Sequence, residues 1–503
     1  MATVRGPRGK SKGYAPAPGS GITGKLPGSL RDYVSVMPNR RLLSLLFAPL
    51  LAGCSTLNSL VPPMPDFGLS DVGSAVGLGG PSFEAAKTTG LAVSDEPFAA
   101  QTGAAILAQG GSAADAVAAM FFTLTATYPV AAGLGGGGIC LVRDTQGRTR
   151  EFDFLARAPN SGGALAVPGA VAGIFDLQKA YGALPWQRVV APGEAYAATG
   201  FPINHVLAQR LVTSQNAIRD DAMLAGEFLD ASGRPKPEGT VVFNRALSVT
   251  LGDIRLSGTD GFYAGPVAAN LVAVSASLTA PLSQVELSAY RSSQSAARQL
   301  NLGPVSAAVP GPATGAGAFI ASLMNNVGNG ANPEIAVVGA LRKTLAGFNI
   351  QSVPPDLGAT GFAALDANGQ AASCAVTMNA PFGSGKSAAD SGVVFASTPS
   401  SPSGISGAFL TPIIAAANNG QVVLAGAGAG GPNGSGAIVY ALLRLASGQP
   451  LGRSSDMRST GLAPAVTVNT IACQNGLCVA LPDPGGSGLG ARVADQPEGP
   501  ANP

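Results

Sequence analysis

The chain contains few of the side chains that bind metals or act as general bases. It has a single histidine, His205, and five cysteines spread along 503 residues. Metal sites of the Cys/His type need several such residues at short spacing. We therefore expect no metal and no cofactor, and we interpret His205 as a surface or helix-start residue rather than a catalytic one.

Two of the cysteines stand close enough for a hairpin disulfide. Cys473 and Cys478 flank Gln-Asn-Gly-Leu, a sequence typical of a turn between two apolar strands. A disulfide is expected there if the protein matures in an oxidising compartment. The alternative is a pair of free thiols, and the spacing alone leaves both states open.

The glycine run Gly133-Leu134-Gly135-Gly136-Gly137-Gly138 has two possible roles. A phosphate-binding loop would open a helix, whereas this run continues into the strand-like segment Ile139–Val142. We therefore predict that backbone segments approach here too closely for side chains to fit.

Another cysteine ends an apolar segment near the N-terminus. Residues 37–53 carry two arginines, Arg40 and Arg41, ahead of an apolar run too short to cross a bilayer comfortably, the pattern of a signal peptide. Leu51-Ala52-Gly53-Cys54 resembles a bacterial lipobox, whose cysteine thiol accepts a lipid, and Ser55 resembles the residue found in lipoproteins sent to the outer membrane. We expect Cys54 to anchor the protein to the periplasmic face of the cell envelope.

Composition divides the remaining chain. Residues 1–36 are basic and rich in Gly and Pro, so they form a disordered extension or precede the true start at Met37. Residues 54–89 resemble a flexible tether, residues 90–492 form the globular domain, and residues 493–503 form a disordered tail. Apolar residues make up 46% and charged residues 12%, which predicts a sizeable core, and a net charge of +2 gives no basic surface for nucleic acid.

Helices alternate with hairpins inside the globular domain. A helix is predicted from Pro97 to Gln109, and Ser112 with Asp115 forms a capping box that opens a second helix ending near Thr127. Strand-like segments pair through short polar turns, as in Phe362–Leu365 with Ala371–Met378. The pattern indicates an α+β fold with antiparallel sheet covered by helices.

An ordered series of motifs carries a family resemblance. It comprises Gln109 to Ala116, Pro129 to Gly138, Asp153-Phe154 with Ala158-Pro159, Val167 to Gly173, Tyr181 to Trp186, Gly258 to Tyr263 and Asn379 to Gly385. This series resembles the gamma-glutamyltranspeptidase (glutathione hydrolase) family. The resemblance implies an N-terminal-nucleophile hydrolase with an αββα four-layer sandwich, which cuts its own chain before a threonine and uses that threonine as the nucleophile.

The position matching that threonine is altered. Asp366, Gly369, Thr377 and Asn379 fix the register against the family pattern, and the nucleophile then falls on Ala359, which has no hydroxyl. Thr360 could substitute only after a one-residue slip, which would turn every side chain of the strand to the other face.

Positions that bind substrate in the family are altered too. The arginine that clamps the substrate carboxylate is replaced by Leu155, and Arg157, two residues further along the predicted strand Thr149–Leu155, could take its place. The serine pair of the family falls on Ala408-Phe409.

Other family positions are kept. Gly430 and Gly431 match the oxyanion-hole glycines, whose N–H groups stabilise a developing negative oxygen. Thr377 and Asn379 match further site residues, although without the nucleophile we favour a role in strand and turn packing over a functional one.

Three functions remain open. The first is a divergent gamma-glutamyl hydrolase or transferase that acts on glutathione-like substrates through Thr360. The second is a catalytically inactive relative that binds a gamma-glutamyl or amino-acid-like ligand. The third is a structural envelope lipoprotein. The residue at 359 favours the second and third.

Overall fold

The computed structural model describes residues 90–278, 281–327, 333–449, 467–474, 477–483 and 488–493. The expected lipidation site Cys54, the segments 1–36, 37–53 and 54–89, and residues 494–503 lie outside the described residues. The globular body extends one residue past the expected boundary at 492, because the N–H of Val493 donates to the carbonyl of Gly90 at 3.0 Å.

The helices and strands follow the order that the sequence indicates. The helices are α1 (Pro97–Ala108), α2 (Ala113–Thr127), α3 (Ala170–Tyr181), α4 (Trp186–Thr199), α5 (His205–Ile218), α6 (Ala222–Phe228), α7 (Arg245–Ser257), α8 (Asp260–Tyr263), α9 (Gly265–Ser277), α10 (Gln284–Ala289), α11 (Gly315–Val327), α12 (Pro333–Gly347) and α13 (Pro432–Ala446). The strands are β1 (Leu91–Ser94), β2 (Gly137–Arg143), β3 (Thr149–Asp153), β4 (Phe201–Pro202), β5 (Val241–Val242), β6 (Ser293–Ala296), β7 (Arg298–Asn301), β8 (Val305–Val309), β9 (Ala359–Leu365), β10 (Ala371–Thr377), β11 (Ser387–Ala388), β12 (Val393–Val394), β13 (Thr411–Ala417), β14 (Val422–Ala429), β15 (Thr467–Gln474), β16 (Leu477–Leu481) and β17 (Leu489–Arg492).

Two antiparallel sheets form the centre of the protein. The first has seven strands in the order β17-β1-β9-β10-β2-β3-β6, and the second has six in the order β16-β15-β14-β13-β8-β7. Side chains from both sheets meet in one buried layer, where Leu141 and Ala363 of the first sheet pack with Ile414, Ala425 and Ile471 of the second. The two sheets therefore lie face to face.

Helices cover the outer face of each sheet. Strand positions that point away from the central layer, such as Phe362 and Cys374, share a core with α1 and α2. On the other side, Ile413 and Val423 pack with Phe319 of α11 and Ile438 of α13. The result is four layers, helix, sheet, sheet and helix, which confirms the α+β prediction and the αββα sandwich.

Local signals in the sequence explain where the elements begin. The predicted capping box is present, because the hydroxyl of Ser112 accepts from the N–H of Asp115 and the Asp115 carboxylate accepts from the N–H of Ser112. Helix α2 then runs to Thr127 as expected. His205 is the first residue of α5, and its ring lies 2.8 Å from Glu238 at the surface. Within the described ranges, no helix is both long and apolar enough to cross a bilayer.

Candidate active site

The position expected for the nucleophile begins a central strand of the seven-stranded sheet. Strands β9 and β10 pair so that Ala359 lies opposite Thr377 and Leu365 lies opposite Ala371. The turn from Asp366 to Gln370 joins them, as the sequence register requires. Alanine therefore occupies the first position of the strand, and no slip brings Thr360 there.

Apolar side chains close the space around Ala359, whose own side chain is only 2% exposed. The surrounding residues are Ile139, Ala316, Ala375, Leu410, Ala427 and Ala429, with the partly buried Leu155 packed against them. We call this group the Ala359 cluster. Its side chains carry no group that could pair with a substrate carboxylate or amine.

The carbonyl that self-cleavage would attack is nevertheless well held. The oxygen of Gly358 accepts from the N–H of Met378 at 2.8 Å and lies 3.1 Å from Oγ1 of Thr377. Gly358 has a φ of +58°, and a side chain there would collide with the carbonyl of Ala380, so only glycine fits.

Thr377 stands at the centre of a small hydrogen-bond network. Its Oγ1 accepts from the N–H of Asn379 at 2.8 Å and lies 2.8 Å from the hydroxyl of Ser406. A hydroxyl has one proton to donate, so the carbonyls of Leu357 and Gly358 compete for it. Asn379 itself has a φ of +62°, and its amide donates to the carbonyl of Ser397. These contacts favour a role in strand and turn packing for both residues.

Thr360 points away from the Ala359 cluster, because successive side chains of a strand alternate between faces. Its hydroxyl donates to Asp95 at 2.7 Å, and Asn469 donates to the other oxygen of that carboxylate at 2.6 Å. Burial raises the pKa of Asp95 to about 6. Thr360 is fully buried and its proton is already engaged, so the geometry gives no support to Thr360 as a substitute nucleophile.

A partly buried ion pair fixes the segment before Ala359. Arg210 of α5 donates from Nε to Asp356 at 3.0 Å, and Asp356 also accepts from the N–H of Gly358 at 2.8 Å. The guanidinium lies over the ring of Tyr128 as well. The segment leading to position 359 is thus tied to the helical layer.

Arg157 does not lie where the alternation of a strand would place it. Strand β3 ends at Asp153, whose carboxylate accepts from the N–H of Leu155 at 3.0 Å, so the prediction of a strand to residue 155 is wrong at its end. The guanidinium of Arg157 lies 4.6 Å from the ring centre of Tyr290 and donates to the carbonyl of Arg291. The strand alternation that would have placed Arg157 on the same face as Leu155 is therefore absent, and it gives no support to Arg157 as a substitute for the clamp.

The segment that matches the serine pair of the family is also apolar. It forms a 3-10 helix over Pro402–Phe409, and Phe409 packs edge-on against Phe319 with 4.9 Å between ring centres. Ala408 lies beside Gly315. The hydroxyl in this segment that reaches the site belongs to Ser406, which is fully buried. The sequence offered no signal for Ser406, since its contact with Thr377 depends on the path of the 3-10 helix.

The two glycines expected to form an oxyanion hole lie beside the same segment. Gly430 and Gly431 have φ of +85° and +114° and join β14 to the first turn of α13. A side chain on Gly431 would touch Leu357, two residues before Ala359. The structure therefore brings these glycines close to the start of β9, at the positive end of the α13 dipole.

The glycines from Gly135 to Gly138 pack closely against neighbouring backbone segments. The run enters strand β2 at Gly137 rather than opening a helix. A side chain on Gly135 would lie 2.2 Å from the carbonyl of Val394, and one on Gly137 would lie 2.3 Å from the backbone nitrogen of Ala156. The sequence prediction of close backbone approach is confirmed.

Four cysteines form two disulfides. Cys473 and Cys478 are joined across β15 and β16, which resolves the two alternatives in favour of the bond. Cys140 and Cys374 are joined across β2 and β10 and were not foreseen. Their partnership depends on which strands are neighbours in the sheet, and neither residue carries a local signal of it. The described residues hold no group of three or more His, Cys, Asp or Glu placed to bind a metal ion.

Comparison with solved structures identifies the fold class. Cephalosporin acylase from Bacillus halodurans superposes with a TM-score of 0.67 at 18% identity, covering 82% of this chain and 97% of that one. The four layers and this likeness define an N-terminal-nucleophile hydrolase fold.

Sequence comparisons show which family the chain resembles. The family model described as gamma-glutamyltranspeptidase matches residues 99–337. The glutathione hydrolase proenzyme of Pseudomonas sp. (strain A14) is 30% identical over 258 residues, which is 47% of this chain and 45% of that protein. That of Escherichia coli (strain K12) is 30% identical over 223 residues, or 40% and 38% of the two chains. The chain is therefore similar to the gamma-glutamyltranspeptidase family over residues 99–337, and its matched part spans less than half the length of these two relatives.

Proposed function

We propose that this protein is an envelope lipoprotein of the gamma-glutamyltranspeptidase family that lacks the family's hydrolase and transferase activity. The observation that carries the proposal is Ala359, which stands at the nucleophile position with 2% exposure inside an apolar cluster. Without a hydroxyl the chain can form neither the product of self-cleavage nor an acyl intermediate at this position.

The surroundings of Ala359 support the same conclusion. Leu155 lies at the position of the carboxylate clamp and packs against the Ala359 cluster. A substrate carboxylate placed there would be desolvated without a partner, which costs several kcal/mol, or roughly a thousandfold or more in affinity. The glycines at 430 and 431 remain, but stabilising an oxyanion is of no use when nothing attacks.

The test is the behaviour of the purified chain. We expect one band on a denaturing gel and no turnover of a chromogenic gamma-glutamyl amide. Two stable fragments separated near residues 358 and 359, together with turnover at the family's usual rate, would contradict the proposal. A new N-terminus at Thr360 would instead favour the divergent enzyme acting on glutathione-like substrates.

The cysteines support placement in the envelope. Disulfides persist in oxidising compartments such as the periplasm, and Cys140–Cys374 and Cys473–Cys478 account for four of the five cysteines. The cysteine outside these pairs is Cys54, the residue that the lipobox-like sequence marks for lipid attachment. This count leaves the Cys54 thiol for lipid attachment.

Metabolic labelling with a fatty acid tests the anchor. We expect the wild type to take up label and fractionate with outer membranes, and Cys54→Ala to lose both properties. Cys473→Ala/Cys478→Ala is a matched control, since it removes two cysteines together without touching the lipobox or leaving a new free thiol. Equal labelling of wild type and Cys54→Ala would rule out lipidation at this residue.

A further inference from the structure

A second cavity lies among residues that take no part in the Ala359 cluster. It has a volume of about 330 Å³ and lies between α6, strand β5 and the beginning of α7. Its walls are largely apolar, with Met223, Val241, Phe243 and Ala246 among the lining residues. Phe243 is 47% exposed, so the cavity opens to solvent. The volume is at the lower end of the range for small-molecule sites.

A partly buried carboxylate lines this cavity. Glu227, near the end of α6, borders both the cavity and a smaller enclosed space of about 10 Å³, which has room for about one water molecule. None of the residues that the structure describes donates a hydrogen bond to its carboxyl oxygens. Burial raises the pKa of Glu227 to about 8, and Lys236 opposes the shift. A partly buried carboxylate that accepts no hydrogen bond from the described residues is available to a ligand that supplies a donor.

Two cations line the same cavity. The ammonium of Lys236 donates to the carbonyls of Gly226 and Glu227, both at 2.8 Å, which uses two of its three donors. The guanidinium of Arg245 lies over the ring of Phe243 at 4.6 Å from its centre. An arginine stacked in this way keeps N–H donors in its plane for a carboxylate.

We propose that this cavity binds a free amino acid with an apolar side chain. The ligand's ammonium pairs with Glu227, its carboxylate with Arg245 and Lys236, and its side chain packs against Met223 and Phe243. The charges favour a zwitterion over simpler ligands. A plain amine would meet two positive groups, and a plain carboxylic acid would leave Glu227 without a partner.

Calorimetry on the purified full chain tests the site with three related probes. L-Phenylalanine carries both charges, phenethylamine lacks the carboxylate, and 3-phenylpropionate lacks the ammonium. We expect L-phenylalanine to bind at least tenfold more tightly than either analogue, about the contribution of one charge-assisted hydrogen bond. Its affinity should rise between pH 6 and pH 8, because the ammonium pairs with the ionised form of Glu227 while Lys236 and Arg245 are the other charged residues facing the cavity.

Two variants and a control separate the contributions. Glu227→Gln and Arg245→Met should each weaken L-phenylalanine binding at least tenfold, and Arg245 is exposed, so its replacement leaves the core intact. Glu238→Gln removes an exposed carboxylate outside the cavity and should leave the affinity unchanged. No binding of L-phenylalanine, binding unaffected by Glu227→Gln, or equal binding of phenethylamine would each overturn the proposal.

Discussion

At the scale of single residues, the site retains the groups that hold the Gly358 carbonyl and lacks the hydroxyl that would attack it. The oxygen of Gly358 still receives the N–H of Met378, with Thr377 within hydrogen-bond distance. The side chain that should attack is a methyl group. A variant with the hydroxyl restored therefore tests whether Met378 and Thr377 hold the carbonyl well enough for cleavage.

We expect Ala359→Thr to permit slow cleavage after Gly358 but little turnover of a chromogenic gamma-glutamyl amide. The added atoms enter a packed cluster at a cost of about 1–3 kcal/mol, and Leu155 still occupies the clamp position. A denaturing gel and a turnover assay give the two readouts. Ala359→Val has the same shape without the hydroxyl, so equal cleavage in both variants would contradict this explanation.

Adding Leu155→Arg to Ala359→Thr should raise turnover above that of either single variant. A charge-assisted contact contributes about 1.5–3 kcal/mol, but the clamp is useful only when a nucleophile is present. Steady-state kinetics of the four combinations measures this coupling. Purely additive effects on the activation free energy would show that Leu155 does not act with position 359.

Thr360 is expected to serve stability. Thr360→Val removes the donor to the buried Asp95 and should lower the free energy of unfolding by about 1–3 kcal/mol without changing the gel pattern. Urea denaturation measures the change. Thr360→Ser keeps the hydroxyl and should cost clearly less than the valine variant. If serine and valine cost the same, the hydrogen bond to Asp95 contributes nothing.

The sequence located position 359 because Asp366 and Gly369 form a short turn, and a short turn fixes the register on both sides. It could not find Ser406 or Asp95. Their contacts with Thr377 and Thr360 join segments far apart in the chain, and no local pattern encodes such contacts.

At the scale of elements, the two disulfides close loops of very different length. Cys140 and Cys374 are 234 residues apart, whereas Cys473 and Cys478 are 5 apart. In the chain-entropy account the longer loop restricts the unfolded chain more, by about 3 kcal/mol for this ratio of lengths. The first bond should therefore contribute far more to stability than the second.

The double variants Cys140→Ala/Cys374→Ala and Cys473→Ala/Cys478→Ala test this difference. We expect the first to lower the free energy of unfolding by at least about 2 kcal/mol more than the second. Denaturant unfolding under oxidising conditions measures both, and each wild-type disulfide serves as the control for the other. Equal losses would mean that loop length does not govern the effect.

The two features at this scale that the sequence analysis missed have different causes. The pairing of β2 with β10 joins Cys140 to Cys374, and it is set by the order of strands in the sheet. The end of β3 is set by Asp153, whose carboxylate bonds the N–H of Leu155 and interrupts the alternation. By contrast, the hairpin of Cys473 and Cys478 is local, and the sequence indicated it.

At the scale of the whole molecule, stability should depend on pH through buried carboxyl groups. Burial raises the pKa of Asp95 from 3.8 to about 6 and that of Glu96 from 4.5 to about 7. A carboxyl that holds its proton more tightly in the folded state stabilises the fold at low pH. Because burial also raises the pKa of Glu227 to about 8, the free energy of unfolding should fall as the pH rises from about 4 to about 8 and level off above.

Asp95→Asn should flatten part of this pH dependence. The variant cannot titrate, so up to about 3 kcal/mol of the decline, at 1.36 kcal/mol per pKa unit, should disappear, while the part due to Glu96 stays. Denaturant unfolding between pH 4.5 and 8 compares the two proteins. A wild-type profile that rises over this range, or an unchanged slope in Asp95→Asn, would contradict the assignment.

Alternation of helices and hairpins in the sequence was enough for the α+β class, but the four layers came from the family resemblance. Both faces of β9 and β10 are buried, so apolar residues stand on both faces of each strand and their pattern does not show which face meets helices. The arrangement of the four layers depends on pairing between strands that are far apart in the sequence.

The pairing of the first strand, β1, with the last, β17, allows the connectivity of the chain to be changed. Strand β1 lies beside β17, and the N–H of Val493 reaches the carbonyl of Gly90. Gly90 and Val493 meet at one edge of the sheet, so a short linker can join them in a protein trimmed to this range. The chain can then be opened at an exposed turn such as Asp230–Gly233. Such a circular permutant, starting near Gly233, should keep the strand order of both sheets, because the new break crosses neither of them.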